Sequence, residues 1–428
     1  MRRSLRPRRP VPGRVAAALA ALLLGATAAA QDFPLERPRV LDPTGRDTEL
    51  PPGLARPDLL APETPPEQLV TPLAILDRVV VPGTRVSLEW RPGGGISNAE
   101  IPSPVVVTRG ALPGPVLCLI GGVHGDEING VEIVRRVAHA VDPSRLSGTV
   151  IGVPIVNVFG YSRGTRYLPD RRDLNRSFPG SRHGSIAARI ANAFFTDIVR
   201  HCDMLVDFHT GSFDRSNLPQ VRADLTDERV IEFSRGFGAT VVLHSPGAKG
   251  MLRTAATQIG IPAVTFEVGA PLRLEPAEIA QAVAAIDRLM LKLGMLPAPD
   301  ADTVHVLANA TPSVEPAPIF LDSRWIRANS AGLLISEVEL GQRVIAGQRL
   351  GRVIDPVTNT ERYILAPVAG RVIGMAQNQA VLPGYAAYNL GTETSEQRAV
   401  EEAASAPATP APEDAEDPEA RPEAADYD

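Results

Sequence analysis

Residues 116–120 form an apolar run closed by Gly121-Gly122 and followed by His124-Gly125-Asp126-Glu127, and no other stretch constrains the chain as much. Five apolar residues ahead of a glycine turn specify a buried strand. A histidine and a glutamate three residues apart then lie on one side of a starting helical turn. Open α/β sheets place their sites at strand ends of this kind. His124 and Glu127 therefore read as two ligands of a metal that lacks its remaining ligands.

The rest of the pattern supports an α/β fold. Strands are expected at residues 116–120, 149–156, 204–208 and 264–266, and helices at 130–140, 185–199, 228–237, 251–259 and 276–293. Strands alternating with helices imply a mainly parallel or mixed sheet covered on both faces. After Pro297 the texture changes to short apolar runs and glycine turns, as expected for a compact β domain over residues 301–392. A cadence around residues 331–351 returns around 369–391, so two similar β units are expected to close against each other and hide their edges.

At 428 residues the chain is long enough for more than one domain. Its formal net charge of -6 gives no case for a nucleic acid partner. Six arginines precede an apolar run at residues 15–24, with small residues up to Ala30. That reads as a signal peptide over residues 1–30, cleaved after Ala30, exporting the protein to the periplasm without stable membrane insertion. Residues 31–66 read as an extended lead-in and 67–300 as the α/β domain that carries the His-Gly-Asp-Glu run. From Glu393 onward twelve acidic residues stand against two arginines, and residues 393–428 are expected to be a disordered acidic tail. Cys118 and Cys202 are the only cysteines, too few for a thiolate metal cluster. Export permits a disulfide between them, but their apolar surroundings favour two buried thiols.

The missing chemistry comes from three later segments. His209, after the run ending in Asp207-Phe208, completes a His-Glu-His set and leaves room for water, the pattern of one catalytic zinc per chain. Glu267 ends residues 264–266 beside Val268-Gly269 and is the candidate general base toward a zinc-activated water. In residues 173–180, Arg176 offers a planar donor fork for a substrate carboxylate and Asn175 a directional hydrogen bond. Arg166 and Arg172 are the better candidates among four nearby arginines for stabilising an oxyanion. Arg215 and Asn217 are expected at the same mouth. No Gly-x-Ser-x-Gly elbow is present, which argues against a serine hydrolase.

These residues together resemble the succinylglutamate desuccinylase/aspartoacylase family, itself related to zinc carboxypeptidases. The likeness rests on residues 122–127, 173–180, 207–211 and 266–269. It implies a carboxypeptidase-like mixed sheet with His124, Glu127 and His209 as zinc ligands, Glu267 as the catalytic carboxylate, and Asn175 and Arg176 as substrate-carboxylate contacts. It also implies an aromatic residue from the C-terminal region at the site, for which Tyr385 and Tyr388 are the candidates. The C-terminal region resembles the β barrel-sandwich of biotinyl and lipoyl domains, without their cofactor-bearing lysine. The activity implied is hydrolysis of a linear amide in a small, carboxylate-bearing N-acyl amino acid, with a periplasmic carboxypeptidase or cell-wall amidase as the alternative.

Overall fold

The computed structural model describes residues 70–92, 101–297 and 319–405, all within the compact unit Glu67–Asp428. The expected signal segment, the lead-in and the tail beyond residue 405 lie outside the described residues. The first half runs β1 (Leu73–Ile75), β2 (Arg78–Val80), β3 (Thr84–Trp90), β4 (Ser103–Arg109), β5 (Leu112–Ile120), α1 (Ile128–Ala140), β6 (Ser147–Val153), α2 (Val158–Arg163), α3 (Ile186–Asp197) and β7 (Met204–His209). It continues through β8 (Arg215–Ala223), α4 (Glu228–Arg235), β9 (Val241–His244), α5 (Leu252–Gln258), β10 (Ala263–Gly269) and α6 (Pro276–Lys292). The C-terminal half adds β11 (Ile319–Arg327), β12 (Gly332–Ser336), β13 (Arg343–Val344), β14 (Arg349–Ile354), β15 (Glu361–Leu365), β16 (Gly370–Ala376), β17 (Ala380–Val381), β18 (Ala386–Glu393) and α7 (Glu396–Ser405).

The expected α/β sandwich is present. Twelve strands form one mixed sheet, ordered β13-β16-β18-β11-β9-β8-β10-β7-β5-β6-β4-β3. At its centre β7 pairs in parallel with both β5 and β10. The alternation of β5 shows why both faces must be covered. Leu117 and Leu119 pack into a core with Ile133 of α1, Phe233 of α4 and Leu289 of α6. Cys118 and Ile120 point the other way, toward Phe194 of α3 and Leu252 of α5. Successive strand residues face opposite sides, so an apolar run fills two cores at once.

The cysteine expectation is corrected. Cys118 on β5 and Cys202, just ahead of β7, form a disulfide with Cα atoms 5.7 Å apart. The adjacent β5–β7 pairing, with Cys118 opposite Leu205, brings both residues to one face of the sheet. That proximity depends on strand order, which neither local sequence carries.

The C-terminal half is less separate than its texture implied. It has its own core, including Leu334, Val353, Ile364, Val372 and Tyr388, and a second sheet ordered β15-β14-β12-β17. Yet β11, β16 and β18 belong to the large sheet, and an additional β16–β8 pairing closes β8, β9, β11, β18 and β16 into a five-stranded barrel. Val241, Leu243, Leu321 and Ile373 cluster across it with Leu218. The C-terminal strands thus satisfy the edges of β8 and β9 rather than only each other's.

The boundary of the acidic tail also moves. Residues 396–405 form α7, whose Ala399 and Ala403 are buried in the main core while Glu396 pairs with Arg235 of α4. Alanines four apart with Val400 between them make a narrow apolar face, enough to dock a helix that composition alone marks as solvated. Among the described residues no helix is long and apolar enough to cross a membrane.

Candidate active site

The site forms where β5, β7 and β10 end. Gly122 adopts φ 59°, the left-handed turn that carries the chain from β5 toward His124. Glu127 occupies the N-cap of α1, where the exposed amides favour a carboxylate. His209 closes β7, and the parallel register sets Glu267 of β10 directly beside it, with Thr265 beside Asp207. Residues paired in register project from the same face, so two strand ends deliver Glu267 and His209 together.

The three expected ligands converge. His124, Glu127 and His209 are buried, and their ligand atoms lie within 4.8 Å of one another. Both histidines turn Nδ1 inward: the two Nδ1 atoms are 3.0 Å apart, and they lie 3.0 and 2.8 Å from the Glu127 oxygens. Each Nε2 is held from behind by a carboxylate, His124 by Asp173 at 3.0 Å and His209 by Asp207 at 2.9 Å. Carboxylates on the outer nitrogen fix the ring orientation and make the inner nitrogen a better ligand. Two imidazole nitrogens and one carboxylate suit a zinc-type ion with an open position.

Electrostatics agree with that donor set. Burial alone would lower the His209 pKa, but Asp207 and Glu127 outweigh it and hold it well above the usual histidine value. His124 is raised despite burial and Arg166, through Glu127 and Asp173. Burial works against Glu127 too, yet His124 and His209 draw its carboxyl below the ordinary range. A field that favours protons on these rings favours a cation among them, and a metal would compete with protons for the Nδ1 lone pairs.

Asp173 does two jobs that sequence reasoning missed. One oxygen meets His124; the other receives Arg166 through Nε at 3.1 Å and Nη2 at 2.8 Å. This leaves Arg166 Nη1 facing Ser212 Oγ at 3.0 Å and Glu127 Oε1 at 3.2 Å, at the centre of the site. Arg172 is not brought there. Arg171 adopts φ 64° in a tight turn that bonds Leu168 to Arg172 through the backbone, and Arg172 falls outside the cavity lining. Asp207 had a legible signal, since two residues along a strand is the same face as His209.

The cavity measures about 70 Å³. Besides the ligands and Arg166 it is bordered by Asn175, Arg176, Arg215, Asn217 and Glu267, as expected, and also by Arg222, Met251, Thr265 and Trp325. Asn175 is buried; its Oδ1 accepts from Leu252 N at 2.8 Å, which leaves Nδ2 toward His209. Asn217 donates to Glu267 Oε2 at 3.0 Å, so its amide holds that carboxylate. The C-terminal aromatic at the cavity is Trp325, not either tyrosine. Arg215 stacks between Trp325 and Tyr385, at 5.2 and 5.3 Å from the ring centres. Tyr385 stands behind Arg215, its hydroxyl donating to the Phe213 carbonyl. Tyr388 is fully buried in the C-terminal core, on a strand whose alternation turns it away from the cavity.

Comparison with known proteins gives one answer. Residues 113–293 match the model of the succinylglutamate desuccinylase/aspartoacylase catalytic domain. An N-alpha-acetyl-L-2,4-diaminobutyric acid deacetylase from Halomonas elongata is 30% identical over 263 residues, spanning 58% of this chain and 73% of that protein. The crystal structure of a succinylglutamate desuccinylase/aspartoacylase from Rhodobacter sphaeroides superposes with a TM-score of 0.63 at 23% identity, covering 72% of this chain and 96% of the other. The product-bound ectoine utilization protein EutE (DoeB) from Ruegeria pomeroyi gives 0.62 at 23% identity, with coverage of 76% and 99%. At such identities the two superpositions speak for the fold, and the deacetylase carries the family assignment. The chain belongs to the succinylglutamate desuccinylase/aspartoacylase family of amide hydrolases.

Proposed function

We propose that this protein removes the acyl group from a small N-acyl amino acid, using one zinc-type ion held by His124, Glu127 and His209. The observation that carries the reading is the convergence of those three ligands beside Glu267 in a cavity of about 70 Å³ lined by arginines. The bound ion would supply Lewis-acid polarisation of water and of the amide carbonyl. Glu267 takes a proton from the attacking water and returns it to the departing amine nitrogen. Arg166, locked by Asp173, offers Nη1 to the oxygen that becomes negative as the carbonyl carbon turns tetrahedral. Arg176 and Asn175 hold the substrate carboxylate, and Arg215 with Trp325 borders the opposite wall.

The relative's deacetylase activity favours a non-peptide substrate. The kinship to zinc carboxypeptidases and to barrel-sandwich domains, and export by residues 1–30, are parts of the same proposal and rest on the sequence. The test is a panel of N-acetyl and N-succinyl amino acids set against peptides with a free carboxyl terminus, with amine release followed by mass spectrometry on zinc-loaded protein. Release from the N-acyl amino acids is expected. Preferential cleavage of the peptides would transfer the site to a metallocarboxypeptidase.

A further inference from the structure

We infer that the C-terminal half takes part in catalysis by aiming Glu267, through Asn217 and the bare backbone at Gly374; this rests on the reading of Glu267 as the base. β8 lies between β10 and β16, and its Asn217 is opposite Gly269 on one side and Gly374 on the other. Asn217 is 2% exposed, and its Nδ2 donates to Glu267 Oε2 at 3.0 Å. A carboxamide carries donors at one end and an acceptor at the other. Turned over, Asn217 would set a carbonyl oxygen against the carboxylate it now holds.

The far end of that carboxamide is fixed by the C-terminal half. A Cβ built at Gly374 would lie 2.7 Å from Asn217 Oδ1, 3.3 Å from the Asn389 side chain and 3.5 Å from the Trp325 ring. Strands β16, β18 and β11 thus enclose the space, and the carboxamide fills the room of a missing side chain. Among the described residues Asn217 Oδ1 has no hydrogen-bond partner, so the bond to Glu267 sets which end of the amide faces the carboxylate, and the enclosing strands set where the amide lies. A methyl at position 374 would press on the carboxamide, and the displacement would reach Glu267 through the Nδ2 contact. Asn217 and Gly374 are positioning residues, linking β16 across β8 to β10.

The test measures kcat and KM on an N-acyl amino acid for Asn217→Asp, Asn217→Ala, Gly374→Ala and the double alanine variant, with metal content and thermal unfolding alongside. Asn217→Asp keeps the shape but sets a carboxylate against Glu267; kcat should fall about 10²-fold while KM stays within about threefold. The alanine variants should each lose about 10-fold in kcat, and the double variant no more than the worse single, because the methyl has no carboxamide left to displace. Unchanged kcat in folded, metal-replete Asn217→Asp would overturn the inference, as would a raised KM alone or losses that multiply. Should Gly374→Ala fail to fold, Asn217→Asp decides by itself. An active Glu267→Gln would instead remove the reading of the base, whereas an inactive Glu267→Gln beside a fully active Asn217→Asp would remove only the positioning role.

Discussion

The two walls of the cavity are built on different principles. On the ligand wall, each histidine and Arg166 is clamped by a buried carboxylate; the histidines follow or end neighbouring strands of one sheet, and Arg166 stands on the loop after α2. The opposite wall is assembled from distant parts of the chain: Arg215 of β8 lies between Trp325 of β11 and Tyr385 ahead of β18. One wall is fixed by short-range geometry and charge, the other by how the C-terminal strands close the barrel. The difference suggests a division of labour, with bond chemistry on the first wall and the fit of the substrate on the second.

Substitutions should separate the walls. The largest effect is expected from His209→Ala, which removes a ligand: metal content should drop and turnover fall by about 10³-fold or more. Because the His209 pKa is raised, a metal must displace a proton there. Affinity should therefore climb with pH and weaken as pH falls, and a flat response in a metal-buffered series would show that no ring proton is displaced. Asp207→Asn should weaken metal affinity by about 10- to 100-fold, read by competition with a chelator, with KM on metal-replete protein nearly unchanged. A loss of substrate affinity instead would merge the two walls.

Trp325→Ala should leave metal content intact and lower kcat/KM by about 10-fold, with the loss varying between acyl groups. An equal loss on every substrate would make Trp325 a structural residue. The smallest effect on chemistry is expected from replacing Cys118 and Cys202 with serine. Their bridge spans 84 residues, so stability should fall by about 2–4 kcal/mol in denaturant unfolding while kcat at low temperature changes little.

The histidines and Glu267 were legible in the sequence because each follows an apolar run: His124 after β5, His209 on β7 and Glu267 on β10. Period-two alternation then supplies the face. The second wall was not. β8 reads Arg-Ser-Asn-Leu-Pro-Gln-Val-Arg-Ala, with polar residues and a proline where a strand pattern should be apolar. It is a strand because both edges are paired, while Arg215, Asn217 and Arg222 border the cavity and Gln220 donates to the Ile373 carbonyl. Tyr388 and Trp325 show the same limit. Which aromatic reaches the cavity is set by pairings between β11, β16 and β18, whose partners lie far away in sequence. The disulfide was hidden for that reason as well. Asp173 stood in a motif already singled out, but its two contacts depend on the turn that brings Arg166 back to it.

The central claim is that a metal held by His124, Glu127 and His209 works with Glu267 as proton carrier. The most direct measurement is metal content together with kcat for the wild type and Glu267→Gln on the preferred N-acyl amino acid. One zinc per chain is expected in both proteins, with a loss of about 10²- to 10⁴-fold in kcat for the variant. Near-normal turnover by metal-loaded Glu267→Gln, or full activity in wild-type protein stripped of metal, would contradict it.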